Sequence, residues 1–426
     1  MSIVDGPLFI LSYVATGLLL LALLAPRPGV RWPVRRFLPV AVGSALVGAA
    51  AGTLLTWLLS DVWDVFGVSL TWVVRIADAV AFAGFAIVLA NLISTRLWRA
   101  ITALVAAALT AWCLFLTINV DFGQYPTVGD ALGTTYQDPI TPPGVSEGLT
   151  ALDEWTPPAD LPAQGIAGLV EIPAVAAQFE PREAAIYLPP AALTDDPPAL
   201  PVVIALSGQP GTPTDVFSAG GVAEMMDGIA ARNDGLAPIV VVPDQLGDPS
   251  NNPMCVDGPF GDSATYLTVD VVDWIRDNLP ASADRDAWTI AGFSQGGTCA
   301  IQLGAGHPDL FGSIVDVSGE IAPSLGSMQT TIERGFGGDI DAYEAATPIE
   351  LLRAGAPFTD TVAYFFAGEH DAKYSAFMRA VSAQADDAGM TVTAETSPGT
   401  AHDWNTARYG FRTAFDALCE RWGITR

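Results

Sequence analysis

The stretch Ala287-Trp-Thr-Ile-Ala-Gly-Phe-Ser-Gln-Gly-Gly-Thr-Cys-Ala-Ile-Gln302 decides how the rest of the chain is read. Residues 287–291 read as a short buried strand, Gly292-Phe-Ser-Gln-Gly296 as a sharp turn, and Gln295 to about Gly306 as a helix. A G-x-S-x-G pentapeptide between a strand and a helix is the pattern that presents an exposed serine on a strained backbone. Only small residues fit two positions before and after such a serine, and Gly292 and Gly296 supply that room. The helix then starts beneath Ser294, where its first amides can stabilise negative charge developing on a substrate oxygen. In a chain with 41 glycines the pentapeptide alone is a weak signal. Its setting makes Ser294 a candidate nucleophile rather than an ordinary serine in a glycine-rich turn.

Working outward, strands and helices alternate on both sides of this turn. Residues 183–188, 200–206 and 238–242 read as strands before it, with helices over 214–231 and 266–278. After it come strands over 313–317, 361–367 and 391–395, with helices near 373–387 and 405–421. Continuous Val/Ile runs separated by helices predict a largely parallel sheet covered on both faces, in the order of an α/β-hydrolase domain spanning 164–426.

A serine nucleophile needs a base to take its proton and an acid to orient that base, and on this fold the chain order is Ser, Asp/Glu, His. The chain has only three histidines, which makes the search short. His307, in Gly306-His-Pro-Asp-Leu-Phe311, follows directly on the elbow helix and reads as a helix-ending surface residue. His370, in Phe365-Phe-Ala-Gly-Glu-His-Asp371, stands at a strand end where the acid of this order belongs. His402, in Pro398-Gly-Thr-Ala-His-Asp-Trp404, lies between the last strand and the last helix, which is the position of the base. Asp371 is the favoured acid and Glu369, in the same loop, the alternative. Asp403 reads as a helix cap, and Asp316 as a minor candidate better suited to structural hydrogen bonding. The oxyanion hole needs two amides: the backbone N–H of Gln295, and one from Ser207-Gly-Gln-Pro-Gly211. Pro210 has no N–H, so Gln209 is the expected donor.

The first 120 residues are of another kind. Mean hydropathy of the chain is +0.38, and the apolar excess is concentrated here. Leu8–Ala25, Phe37–Ser60 and Ala100–Val120 are charge-free runs long enough to cross a bilayer. A fourth run, over 69–93, is interrupted by Arg75 and Asp78, which lie three apart on one helical face and are expected to satisfy each other or snorkel. Gly48-x-x-x-Gly52 offers close helix packing. Arg27, Arg31, Arg35 and Arg36 fill the first connection and Arg96 and Arg99 the third, while the second holds Asp61 and Asp64. Basic loops stay in the cytoplasm, so everything after Val120 is expected outside. A Pro/Gly-rich tether is expected over 121–163. This segment up to residue 120 carries +3, and the remaining 12 basic and 42 acidic residues give −30. Such an acidic half argues against nucleic-acid binding. Three of the four cysteines lie in it, so at most one pair forms there, and no metal-ligand spacing or cofactor motif is visible.

Leu206-Ser-Gly-Gln209, Gly292-Phe-Ser-Gln-Gly-Gly297, His307-Pro-Asp-Leu-Phe311, Gly368-Glu-His-Asp371 and His402-Asp-Trp404 together resemble the putative-esterase family of α/β-hydrolases. That family includes esterase D, feruloyl esterases and actinobacterial mycolyltransferases. The resemblance runs from about Gly168 to Trp422. It implies an extracytoplasmic serine-dependent activity on carboxylic esters, with the acyl group passed to water or to a cell-envelope sugar. It also implies a disulfide between Cys255 and Cys299. Two features depart from it. The mycolyltransferases carry an acidic residue before the oxyanion-loop glycine, where this chain has Ser207, which weakens trehalose as an acceptor. The four-span module has no counterpart in the secreted members. The expectation is therefore a membrane-anchored serine esterase, with acyl transfer as the close alternative and a non-catalytic hydrolase-like binding domain as the distant one. An acylated envelope ester and the lipid bilayer are the expected partners.

Overall fold

The computed structural model describes residues 1–25, 34–65, 67–92, 97–145 and 148–425, and of residues 34–38 the backbone alone. The chain divides into two compact units, Met1–Leu132 and Gly133–Arg426.

The first unit is built on α1 (Gly6–Leu24), α2 (Val34–Trp57), α3 (Trp72–Leu92) and α4 (Leu97–Phe122). Each is long and apolar enough to cross a bilayer. Helices α2 and α3 meet where Gly48 and Gly52 leave their backbones bare. A methyl at Gly48 would overlap the Phe82 carbonyl oxygen and lie 2.8 Å from the Ala86 Cβ. One at Gly52 would lie 2.9 Å from the Phe82 Cβ. Arg75 and Asp78, expected to satisfy each other, instead find separate partners. Arg75 forks onto Asp61, with Nη1–Oδ2 at 2.6 Å and Nη2–Oδ1 at 3.0 Å, and Asp78 accepts from the Thr56 hydroxyl at 2.5 Å. Side chains on a helix lean toward its N-terminus, so Arg75 reaches back past the helix start, away from Asp78. Arg99 caps α1 from across the bundle, donating to the Leu23 and Ala25 carbonyls at 2.6 and 3.1 Å. Arg27, Arg31 and Arg96 lie outside the described residues, as do the side chains of Arg35 and Arg36.

The second unit holds an eight-stranded sheet. Its strands are β1 (Ile166–Val170), β2 (Ala184–Leu188), β3 (Val202–Leu206), β4 (Ile239–Val242), β7 (Trp288–Phe293), β8 (Ser313–Val317), β9 (Val362–Gly368) and β10 (Thr391–Ser397), while β5 (Asp257–Gly258) and β6 (Gly261–Asp262) form a separate short hairpin. The order across the sheet is β1-β2-β4-β3-β7-β8-β9-β10. All pairings are parallel except β1 with β2 and β2 with β4. Strands β2, β3, β4, β7 and β8 are buried along their whole length, as expected for a sheet covered on both faces. Gly304 of the helix Gln295–Gly306 packs on Ile290 and Ile314, and Gly410 of the helix Trp404–Arg421 packs on Val317 and Phe366. Ile314 and Val317 are three apart on one strand, so these two helices lie on opposite faces.

Further details differ from the sequence reading. The helix expected over 214–231 is two pieces, Asp215–Ser218 and Val222–Arg232, because Gly221 at φ 68° breaks it. The edge strand β1 was not anticipated. The division between the units falls at Leu132, and the 133–163 stretch is bound to the second unit rather than free. Ile140 donates to Leu169, Gly144 to Asn278 and Ala199 to Thr150, and Trp155 is buried in the core.

Two outcomes are expected. Gly48→Ala forces α2 and α3 apart and costs about 1–3 kcal/mol, whereas Gly43→Ala, which meets no atom within 4 Å, costs little. Thermal unfolding of the full chain in detergent compares them. The second concerns Asp316, fully buried at the end of β8, where it accepts from the Gly319 N–H at 2.8 Å. Burial pushes its carboxyl up from 3.8 to about 7. The folded state thus keeps a proton that the unfolded chain releases, so stability is whole below pH 3.8 and falls as pH rises toward 7. Asp316→Asn should match the parent near about pH 4 and exceed it near about pH 8, by up to about 4 kcal/mol. Unfolding midpoints at the two pH values measure this.

Candidate active site

The turn after β7 forces Ser294 to φ 58° and ψ −117°, a conformation that L side chains rarely adopt. Close packing holds it there. A methyl at Gly292 would overlap the Gly296 carbonyl, and one at Gly296 would overlap the Leu206 carbonyl oxygen. The Ser294 N–H donates to the Val317 carbonyl at 2.8 Å, which ties the elbow to the end of β8.

His402 comes from the loop after β10. Asp403 fixes that loop, accepting from the Ala401 N–H at 2.7 Å and from the Thr406 N–H at 2.9 Å as the cap of the last helix. The imidazole Nε2 then lies 2.8 Å from Ser294 Oγ, and Nδ1 lies 3.1 Å from Asp371 Oδ2. A carboxylate can only accept, so the proton sits on Nδ1 and Nε2 is left to receive the serine hydroxyl. Asp371 caps the helix Ala372–Asp387, its other oxygen accepting from the Tyr374 N–H at 3.1 Å. Phe293 and Tyr374 border the imidazole, with ring centroids 5.3 and 3.9 Å away.

The remaining sequence candidates fall elsewhere. The alternative acid Glu369 is exposed and accepts from the Gly399 N–H at 2.8 Å. His370 is exposed, and its backbone N–H donates to Thr400. His307 ends the elbow helix. Asp316 faces Gly319 and Gly297 rather than a histidine.

Beside the serine, the loop after β3 passes so closely that a methyl at Gly208 would lie 3.5 Å from the Ser294 Cβ. The amides of Gln209 and Gln295 donate to no protein group among the described residues. Polar groups not singled out from the sequence brace both loops. Gln245, fully buried, donates to the Ser207 carbonyl at 2.7 Å and to the Gln295 side-chain oxygen at 3.1 Å. Gln295 donates in turn to Asn252 at 3.1 Å and to Cys299 Sγ at 3.2 Å. Cys255 and Cys299 form a disulfide across 44 residues, a closure worth about 4 kcal/mol in the chain-entropy account. Arg182 clamps Asp244 with contacts at 2.8 and 2.6 Å and reaches the Gly211 carbonyl at 3.1 Å, holding the end of the loop after β3. Gln245 and Asp244 are neighbours following β4, and only their position after a buried strand could have marked them. Among the described residues no group of three or more His, Cys, Asp or Glu could hold a metal ion.

Known proteins are similar to this chain in sequence or in fold. An uncharacterised protein of Corynebacterium glutamicum is 31% identical over 392 residues, covering 89% of each chain. An S-formylglutathione hydrolase from Agrobacterium tumefaciens superposes with a TM-score of 0.51 at 20% identity, over 62% of this chain and 97% of its own. A ferulic acid esterase superposes with a TM-score of 0.50 at 16% identity, over 61% and 98%. These two solved structures establish the α/β-hydrolase fold. Residues 179–417 match the family model described as putative esterase, and on that match the chain belongs to this family of serine carboxylic ester hydrolases.

Proposed function

We propose that Ser294, His402 and Asp371 hydrolyse a carboxylic ester through an acyl-enzyme. The observation that carries this reading is His402 standing between the other two, 2.8 Å from the serine oxygen and 3.1 Å from the carboxylate. Ser294 Oγ attacks the ester carbonyl while its proton passes to His402 Nε2, and the carbonyl oxygen takes the negative charge. The Gln209 and Gln295 amides receive that oxygen. As the carbonyl re-forms, the C–O bond to the alcohol breaks and Nε2–H protonates the departing alkoxide. Water then repeats the sequence, losing its proton to Nε2 and releasing the acid and free Ser294. Asp371 stays ionised and holds the imidazolium. An alcohol entering in place of water would make the same machinery an acyltransferase.

The first unit anchors the enzyme in the cytoplasmic membrane, with the catalytic unit outside. Six arginines in the first and third connections against two aspartates in the second support this orientation. The Cys255–Cys299 disulfide supports it independently, since such bonds persist in oxidising compartments. The substrate class that follows is an ester of the cell envelope.

A fluorophosphonate tests the chemistry. The full chain in detergent should gain one adduct by intact mass, lost in Ser294→Ala and slowed about 10⁴-fold in His402→Ala. Asp371→Asn should slow it strongly, and Glu369→Gln should leave it within about 3-fold, a difference below 1 kcal/mol. No adduct on folded parent protein would remove the hydrolase reading. Membrane-impermeant probe on intact cells should reach Ser294; labelling only after lysis would reverse the orientation.

A further inference from the structure

We propose that Tyr374 is a positioning residue that sets the orientation and proton affinity of His402, working from the opposite end of the same helix turn that holds Asp371. The inference rests on the Ser294–His402–Asp371 reading and adds a fourth member to it.

Three contacts converge on Tyr374. Its backbone N–H donates to Asp371 Oδ1 at 3.1 Å, which turns Oδ2 toward His402. Its ring lies 3.9 Å from the imidazole, centroid to centroid, with the planes 33° apart. Its hydroxyl hydrogen-bonds the Glu320 carboxylate. Glu320 is not loose: its N–H donates to Thr298 Oγ1 at 2.8 Å, and that oxygen lies 3.2 Å from the Ser294 carbonyl. The contacts therefore close a ring from the nucleophile's own peptide through Thr298, Glu320 and Tyr374 to the base and the acid. Tyr374 is 6% exposed, so neither its ring nor its hydroxyl is free to wander.

An aromatic face so close to an imidazole favours the charged form over the neutral one, because the ring's negative face attracts a cation. The step that needs this is the transfer of the serine proton, when His402 becomes an imidazolium. Among the described residues the charges around this pair are Asp371 and Asp403 beside His402, and Glu320 and Lys373 beside Tyr374, the Lys373 ammonium 5.1 Å from the ring centroid. Burial raises the Glu320 carboxyl, and the Lys373 charge and the Tyr374 hydroxyl oppose that rise. Truncating the ring should lower the proton affinity of His402, whereas removing only the hydroxyl should not.

The test is the rate of fluorophosphonate adduct formation on the full chain in detergent, followed across about pH 5 to about pH 9, the range in which a histidine titrates. In Tyr374→Leu the rate at neutral pH should fall about 10-fold, and the midpoint of the pH profile should move down by about half a unit or more. Tyr374→Phe should keep the parental midpoint and lose no more than about 3-fold in rate. Tyr374→Met, of similar bulk without a π face, carries the same expectation as Leu should the Leu variant fail to fold. A folded Leu or Met variant with the parental midpoint would overturn the proposal, as would a Phe variant that shifts as far as they do. Failure of the triad reading looks different: the parent is then unlabelled, or Ser294→Ala is still labelled.

Discussion

The catalytic unit depends on a contact between two backbones. The α-carbon of Gly296 lies against the carbonyls of Leu206 and Ser207, so close that a methyl would overlap the first. This approach draws the end of β3 and the start of the elbow helix together, and with them the Gln209 and Gln295 amides. It also leaves Ser294 nowhere to go but φ 58°. Strain at that residue is sustained by the surrounding sheet, whose five central strands are buried throughout and cannot relax. Chemistry is therefore concentrated where packing is tightest, and Gln245 adds a polar brace in a place where an apolar contact would permit slippage.

Much of this was legible in the residues because it follows from backbone rules. A buried strand, two glycines and a helix around Ser294 have few other realisations, and runs such as Val202-Val-Ile-Ala-Leu206 announce a covered parallel sheet. Three histidines at three distinct places in the order left one candidate for the base, His402, and it is the one that lies beside Ser294. What the residues could not convey was set by side-chain reach. Glu369 and Asp371 share a loop, and the choice between them lies in which carboxylate caps the following helix and which turns to Gly399. Spacing along one helix pairs Arg75 with Asp78 or lets it snorkel, yet its partner Asp61 comes from the preceding segment. The edge strand β1 escaped notice because Ile166-Ala-Gly-Leu-Val170 is only half covered and lacks the clean apolar run of its neighbours. Tyr374 carried one faint signal, an aromatic residue three positions after the acid.

The two units are stabilised by different means. Within the first, hydroxyls and amides bond across or along helices, as Tyr13 does to the Cys113 carbonyl and the buried Asn91 to that of Ile87. Glycines there admit a neighbouring helix, and apolar side chains such as Leu18, Leu46 and Val80 face outward, which suits a lipid surroundings where no hydrophobic force draws helices together. In the second unit the glycines admit a sheet or a turn, and the large side chains point inward. One chain thus uses the same small residue to seat helix against helix in one unit and helix against sheet in the other.

The sequence contains a single lysine, Lys373. It is exposed, two residues from Asp371 and beside the ring that borders His402. Every other side-chain cation in the protein is an arginine. Amine chemistry is accordingly site-directed in this molecule without any engineering: apart from the N-terminus, a succinimidyl dye, a cross-linker or an amine-coupled surface has one place to attach, beside the Tyr374 ring. A fluorophore installed there would sit next to the ring that borders His402. The same arithmetic warns that immobilisation through amines would turn the His402 side of the unit toward its support.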